Sequence, residues 1–331
     1  MDEPSAPQIV QRLSAGVPLA LAMLAGMVLD VFTPLRDGPL TAGQIAEGIG
    51  VAEARLAPLL YALVSAGLLA MEGELFANSP EAARYLVRGG PSYMGGVHEL
   101  WAELWAAELK TADSIRRGVP QAKHDYAHMS SEELASFVRG SHAGAVSAAR
   151  LLLDRSDWGS VGVVWDVGGG SGGLATTLVQ AYPHLRAEVL ELPAVAPITQ
   201  RLVDEAGLNG RVSVQPVDVA RQRLTGSCDV AVLNRFLQVL APSEALCALI
   251  NVATAVRPGG EVYIIGHVLD DSRCAPPAAV AFNLLALNLY DGGQAYTEKQ
   301  HRDWLAAVGF TDITRSLLPN GYSLITARRQ A

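Results

Sequence analysis

The sequence predicts an α/β protein in two parts, a helical N-terminal half of winged-helix type and a Rossmann-like parallel-sheet domain behind it. Three observations carry that prediction. Up to about residue 157 the apolar residues recur at helical spacing, with few strand-like segments. From about Gly159 short apolar runs alternate with helical ones, the pattern of a parallel sheet with crossover helices. A glycine-rich run, Gly168 to Gly173, falls at the end of one such strand and the start of a helix. The expected division is 1–157 for the helical half and 158–331 for the sheet domain.

The chain of 331 residues is half apolar and 18% charged, long enough for two cores without disulfide staples. Its net charge of -8 argues against nucleic acid as a partner, because binding phosphates needs a positive stripe. Cys228, Cys247 and Cys274 are scattered and lack metal spacing, which points to a reducing, cytoplasmic setting with no zinc site. Met1 to Pro7 is acidic and polar, and the amphipathic stretch Ile9 to Leu29 lacks the basic flank and cleavage site of a signal peptide. Pro18 interrupts the apolar run Val17 to Val31, which is also short for a membrane span, so a buried helix is expected there.

The helical half reads as Ile9 to Val31, Thr41 to Glu47, Glu53 to Leu69 and Ser131 to Leu153. Within it Leu40 to Ala46, a glycine turn at Gly48 to Gly50, and Glu53 to Gly67 have the form of a helix-turn-helix, followed by a Leu69-to-Phe76 hairpin as its wing. The second of these helices carries only Arg55 as a cation, so packing and dimerisation are expected of it rather than DNA binding. Apolar stripes on Ile9 to Val31 and Glu53 to Leu69 suit a homodimer interface. In the second half Val161–Val167, Ala187–Leu192, Arg211–Val217, Asp229–Leu233 and Glu261–Val268 read as buried strands, with Gly321–Ala327 as the last.

Gly168, Gly170 and Gly173 satisfy the dinucleotide pattern GxGxxG, so the glycines alone do not separate a nicotinamide cofactor from S-adenosylmethionine. The carboxylates do. Asp166 just before the loop would meet a pyrophosphate as a like charge, whereas S-adenosylmethionine has no phosphate and carries an ammonium and a sulfonium. Glu191 ends the second strand, where a carboxylate accepts both ribose hydroxyls, and Asp218 follows the third, where it faces the adenine amine.

The order of these features resembles the small-molecule O-methyltransferases of the caffeate, hydroxyindole and bacterial polyketide-tailoring type, over nearly the whole chain. The residues that carry the resemblance are Val164 to Gly172, Glu191-Leu192-Pro193, Asp218-Val219, Arg257 to Gly260, and Gly292-Gly293 followed by Thr297 and Ala306 to Phe310. It implies a dimerising N-terminal domain, a substrate pocket between the domains, and a cofactor pocket lined by Gly168, Glu191, Leu192, Asp218, Val219 and Asn234; Asp166, Gly170 and Arg235 are expected to join them. The chain departs from the family where the catalytic base stands. The histidine position reads Gln238, and the two carboxylates that orient the histidine read Gly266 and Ala295. Glutamine does not take a phenol proton near neutral pH, although it positions a substrate by hydrogen bonds.

Methyl transfer from a sulfonium needs alignment and a dry site above all, so an acidic or activated acceptor remains within reach without that base. The expected activity is methylation of a small aromatic or polyketide-like metabolite at oxygen or an activated carbon, with Gln238 as the positioning group. The alternative is an enzyme that keeps S-adenosylmethionine unconsumed for hydroxylation, decarboxylation or cyclisation. His142, in the segment that the resemblance brings near the transferred methyl, is the first candidate for a replacement base, ahead of His98 and His267. Trp101, Trp105, Met94, Tyr126, Phe137, Asn283, Asn288 and Tyr290 are expected to frame an aromatic, amide-bearing pocket for a flat substrate.

Overall fold

The computed structural model describes residues 8–90, 92–94, 96–126 and 129–330; the acidic segment Met1 to Pro7 lies outside them. The chain divides into two compact units, Met1–Ala102 and Glu103–Ala331. The expected boundary at 157/158 falls inside the second unit, because the long helix that ends at Leu153 packs against the first helix of the sheet domain.

The first unit starts with α1 (Gln8–Val28) and continues through β1 (Leu40–Thr41), α2 (Ala42–Ile49), α3 (Glu53–Ser65), β2 (Leu69–Glu72), β3 (Leu75–Asn78) and α4 (Pro80–Tyr85); α5 (Val97–Glu108) carries the unit boundary. Thr41 starts α2 with a capping box to Gln44, and Gly50 ends it in the left-handed conformation that turns the chain into α3. The hairpin β2–β3 pairs antiparallel and β1 adds to its edge, giving the order β1-β3-β2. Two helices and a hairpin therefore form at the residues that the sequence marks, around Phe32, Ile45, Leu60, Leu63 and Phe76.

The expectation that α1 is buried does not hold within the single chain. Only Ala22, Gly26 and Met27 are buried, while Ile9, Leu13 and Val17 are 66%, 66% and 58% exposed. Helix α1 is also long and apolar enough to cross a membrane by length and composition. Its apolar residues run round most of the helix, and α3 covers one side only.

The second unit holds α6 (Thr111–Arg117), α7 (Ser131–Leu153), β4 (Val163–Val167), α8 (Gly173–Ala181), β5 (Arg186–Glu191), α9 (Ala196–Glu205), β6 (Val212–Pro216), β7 (Cys228–Asn234), α10 (Pro242–Ala255), β8 (Val256–Gly266), β9 (Val268–Leu269), α11 (Pro277–Leu289), β10 (Tyr296–Thr297), α12 (Glu298–Ala307), β11 (Phe310–Leu317) and β12 (Ser323–Arg329). A seven-stranded sheet runs β11-β12-β8-β7-β4-β5-β6, parallel from β8 to β6, with the last two strands antiparallel. The order reverses at β4, so the carboxyl ends of β4, β5 and β7 meet at the topological switch point where open α/β sheets bind ligands. Two apolar layers, one under Trp165, Leu233 and Leu249 and one under Val164, Leu178 and Val232, hold the sheet from its two faces.

Candidate active site

The glycine run forms the floor of the site. Gly168, Gly170 and Gly172 all have positive φ, and Gly172 caps α8 from the left-handed region. A side chain at Gly168 would strike the Phe236 ring, and a Cβ on Gly169 would stand 2.6 Å from Val189 and 2.7 Å from the Asp166 carboxyl. The bare backbone is thus required by close packing, and its N–H groups are held in place, Gly168 by Leu190 O, Gly170 by Glu191 and Gly172 by Gly169 O.

Asp166 ends β4 beneath this loop and is 1% exposed. Its Oδ2 accepts the Ala175 N–H of α8 at 3.2 Å, while Oδ1 is buried without a partner among the described residues. Burial, with the Glu191 carboxylate adding to it, pushes the Asp166 carboxyl up to about 7. Glu191, also buried, stands at the end of β5. Its Oε2 accepts Gly170 N–H at 2.7 Å and Oε1 accepts Leu192 N–H at 2.8 Å, so one carboxylate ties the glycine loop to the strand end. Its pKa is raised by burial, against the pull of these two backbone donors. Each oxygen keeps a further lone pair for a ligand hydroxyl.

Beyond β6, Asp218 is half-buried and accepts Ala220 N–H at 3.0 Å, and Val219 is buried under it. At the end of β7 the Asn234 Oδ1 is buried without a partner among the described residues. Arg235 follows with φ of 56°, a left-handed turn held by its N–H on Ile265 O at 2.6 Å; its guanidinium lies against Gly144 and Ser141 of α7. The donor set fits S-adenosylmethionine. A buried, half-ionised carboxyl and an orphaned amide oxygen suit cationic and hydrogen-donating groups, and among the described residues the loop has no basic cradle for a pyrophosphate.

Of the three positions that the resemblance marks for the base and its carboxylates, Gln238 and Gly266 meet directly. Gln238 lies in the 3-10 turn Leu237–Val239, is 7% exposed, and its Oε1 accepts the His267 N–H at 2.9 Å. A Cβ on Gly266 would stand 2.6 Å from that oxygen, so the glutamine amide occupies the space that a side chain at 266 would need. Gly293 lets the loop before Ala295 lie against the carbonyls of Gln238 and Val239, where a Cβ would stand 2.8 Å from both. Ala295 itself is buried. With one lone pair of Oε1 taken by the backbone, Gln238 offers a substrate its NH2 end and the remaining lone pair of that oxygen.

His142 points its Nδ1 at the Ser171 hydroxyl, 3.1 Å away, and lies over Gly173; burial lowers its pKa. It braces the glycine loop from α7. His267 is stacked on Phe282 with centroids 4.5 Å apart and meets the Tyr322 ring at 4.6 Å, and burial with the Arg235 charge lowers it to about 4. Of the expected pocket residues, Tyr126, Phe137 and Tyr290 converge through aromatic contacts on His124, a residue that no motif in the sequence marks. Asn283 Oδ1 accepts the Ala295 N–H at 2.6 Å.

Asn288 requires correction as a pocket residue. It is fully buried, its Oδ1 accepts from Ser114 Oγ and its Nδ2 donates to Thr111 Oγ1 and Leu284 O, so it fastens α6 to α11 and has no N–H left for a substrate. Trp101, with Met94, packs against the core of the first unit, whereas Trp105 is half-buried in the second; His98, in the first unit, has a buried Nδ1 with no hydrogen-bond partner among the described residues.

A family model for the O-methyltransferase domain matches residues 101–311, and one for the O-methyltransferase dimerisation domain matches residues 11–88. The chain is 29% identical over 314 residues to the tetracenomycin polyketide synthesis 8-O-methyl transferase TcmO of Streptomyces glaucescens, covering 93% of this chain and 92% of that protein. It is 30% identical over 271 residues to the N,N-dimethyltransferase OxyT of Streptomyces rimosus, with 78% of each chain covered. The fold matches that of human N-acetylserotonin methyltransferase in complex with SAM at a TM-score of 0.84 and 22% identity, over 100% of this chain and 99% of that one. The fold and site thus define a methyltransferase of Rossmann-like architecture with an N-terminal helical dimerisation domain. The chain belongs to the S-adenosylmethionine-dependent O-methyltransferase family.

Proposed function

We propose that the chain methylates a small aromatic or polyketide-like secondary metabolite, at oxygen or at an activated carbon, with S-adenosylmethionine as methyl donor. The observation that carries this reading is the cradle at the switch point, in which Glu191 holds the Gly170 N–H, Asp166 packs against Gly169, and Asp166 and Asn234 each keep a buried oxygen with no partner among the described residues. In this reading Glu191 takes the ribose hydroxyls, Asp218 and Val219 the adenine, and Gly168, Gly170 and Leu192 the body of the cofactor. Asn234 and Arg235 border the methyl-donor end, and Gln238 orients the acceptor through its amide NH2. The polyketide-directed activity named for TcmO supports the substrate class.

The test is incubation of the purified protein with S-adenosylmethionine and a panel of phenolic, carboxylic and enolic aromatic compounds, with products followed by mass spectrometry. Methylated product matched one-for-one by S-adenosylhomocysteine is expected. The second reading, in which the cofactor is bound but not consumed while the substrate is hydroxylated, decarboxylated or cyclised, is favoured by the absence of an ionisable side chain at Gln238, Gly266 and Ala295. It predicts altered substrate with the cofactor intact.

The same reading makes the protein a homodimer in which a second copy covers α1, in place of a membrane. Ile9, Leu13, Val17, Leu21 and Val28 all stand at least half exposed in the single chain. Light scattering behind size exclusion is expected to give twice the chain mass, and the double variant Leu13→Glu/Leu21→Glu the mass of one chain. A wild-type monomer would exclude the dimer.

A further inference from the structure

Ahead of α7, outside the positions where the family keeps its base, the second unit builds another imidazole–carboxylate pair. His124 has a side chain only 3% exposed, and its Nε2 lies 2.7 Å from Oε1 of Glu103 on α5. Its Nδ1 is buried and has no hydrogen-bond partner among the described residues. Phe137, Tyr126 and Tyr290 meet the imidazole edge-on, with centroids 5.2, 5.9 and 6.2 Å away. The hydroxyls of Tyr126 and Tyr290 are hydrogen-bonded to each other, and burial raises the pKa of both.

This aromatic cage adjoins the cofactor cradle. Tyr126 and Phe137 share an apolar cluster with Leu192, the residue after Glu191. The Glu191 carboxylate acts on the Tyr126 hydroxyl, and the Arg235 guanidinium on the Tyr290 hydroxyl. A ring nitrogen held by a carboxylate fixes the tautomer: Nε2–H donates to Glu103, and the lone pair remains on Nδ1. No described residue uses that lone pair, and a buried acceptor left unpaired is costly unless a ligand satisfies it.

We propose that His124, oriented by Glu103, is the general base of this chain and takes the proton of a phenolic or enolic acceptor; this rests on the methyl-transfer reading above. The acceptor O–H bond breaks and its proton passes to Nδ1. The oxygen lone pair forms a bond to the methyl carbon as the carbon–sulfur bond of the sulfonium breaks, its electron pair going to sulfur. The products are the methyl ether, S-adenosylhomocysteine and an imidazolium that faces Glu103 and then loses its proton to solvent. A base at this place also gives a chemical reason why Gln238, Gly266 and Ala295 carry no ionisable group. Among the described residues, the groups that face His124 are Glu103 from α5, Tyr126 from its own loop and Tyr290 from the end of α11. Arg235 and Glu191 stand behind the tyrosines, and the Lys123–Asp291 ion pair lies on the adjoining surface.

The test compares wild type, His124→Asn and Glu103→Gln on phenols and naphthols of graded acidity, with kcat and KM measured against pH and S-adenosylhomocysteine affinity by calorimetry. His124→Asn is expected to lower kcat by about 100-fold or more with cofactor affinity unchanged, as loss of a general base does. The loss shrinks as the acceptor becomes more acidic, and the acid limb of kcat/KM against pH disappears. Glu103→Gln, at a position half exposed and so tolerant of change, moves that limb to lower pH and lowers kcat about tenfold, which decides the matter if His124→Asn does not fold. Activity of His124→Asn within about threefold of wild type, or a loss equal for all acceptors, overturns the proposal while the methyl-transfer reading stands. Wild-type protein that methylates none of the panel overturns both.

Discussion

Replacing Glu191 with alanine is expected to weaken S-adenosylmethionine binding by at least about 100-fold, because two effects fall together. In the proposed placement the two ribose hydroxyls lose a charged acceptor, and hydrogen bonds to a charged group contribute roughly 1.5–3 kcal/mol each. The Gly170 and Leu192 N–H groups lose the oxygens that now hold the loop to the end of β5. Glu191→Gln keeps one acceptor and the side-chain shape, so it is expected to fall between wild type and alanine. Calorimetry with S-adenosylmethionine and with S-adenosylhomocysteine checks this. An affinity for Glu191→Ala close to that of wild type would mean that the cofactor does not bind at this strand end.

Asp166→Asn is expected to stabilise the empty protein and to weaken the cofactor complex, and pH separates the two effects. The buried carboxyl has its pKa raised from 3.8 to about 7, so the folded state holds the proton more tightly than the unfolded chain. The stability that Asp166 allows is fully present below about pH 4 and is lost as pH rises through about 7. Each tenfold change in the acid dissociation constant between the two states is about 1.4 kcal/mol, so the carboxylate costs the empty protein on the order of a few kcal/mol at about pH 8. The melting temperature of Asp166→Asn should therefore exceed that of wild type by several degrees at about pH 8, and the difference should close toward about pH 4. Binding runs the other way. In the proposed placement a sulfonium and ammonium beside Asp166 favour the ionised form, so wild-type affinity is expected to rise with pH up to about 7, and in Asp166→Asn that rise is absent. A wild-type affinity independent of pH would place the cofactor's charge away from Asp166.

Much of the second unit is legible because parallel strands are buried on both faces and read as short apolar runs. Val163–Val167, Arg186–Glu191 and Cys228–Asn234 each fall within a residue or two of expectation, and so does Val212–Pro216, although it is an edge strand in which only Val212 is buried. Strand β11 is the contrast. It is an antiparallel edge strand with alternating burial over Phe310 to Leu317, and its Thr-Asp-Ile-Thr-Arg run has no apolar block to mark it. Helix α1 shows a second limit. An apolar stripe states that a face is covered but not by which chain, so Leu13 and Val17 read as core and stand in solvent in the single chain.

At the candidate site, the places of the carboxylates are readable because Asp166 and Glu191 lie at the ends of strands and Asp218 just beyond one, and strand ends fix position. Asn288 misleads for the opposite reason: an amide on an apolar helix looks the same in sequence whether it serves a ligand or, as here, Ser114 and Thr111. His124 and Glu103 carry no local signature. They lie 21 positions apart, one on α5 and one in the loop Gln121 to Tyr126, and only the fold brings their side chains to 2.7 Å. A rule that looks for an imidazole and a carboxylate in one helix turn or one strand end passes over such a pair.

Delivery of a methyl group from the cradle under Gly168 to Gly173 is tested most directly with S-adenosylmethionine labelled in its methyl group and the panel of aromatic hydroxy compounds. Wild type is expected to give product that carries the label, in equal amount to S-adenosylhomocysteine, and Glu191→Ala at most a trace. Substrate turnover with the labelled cofactor recovered intact would contradict methyl transfer as the reaction of this site.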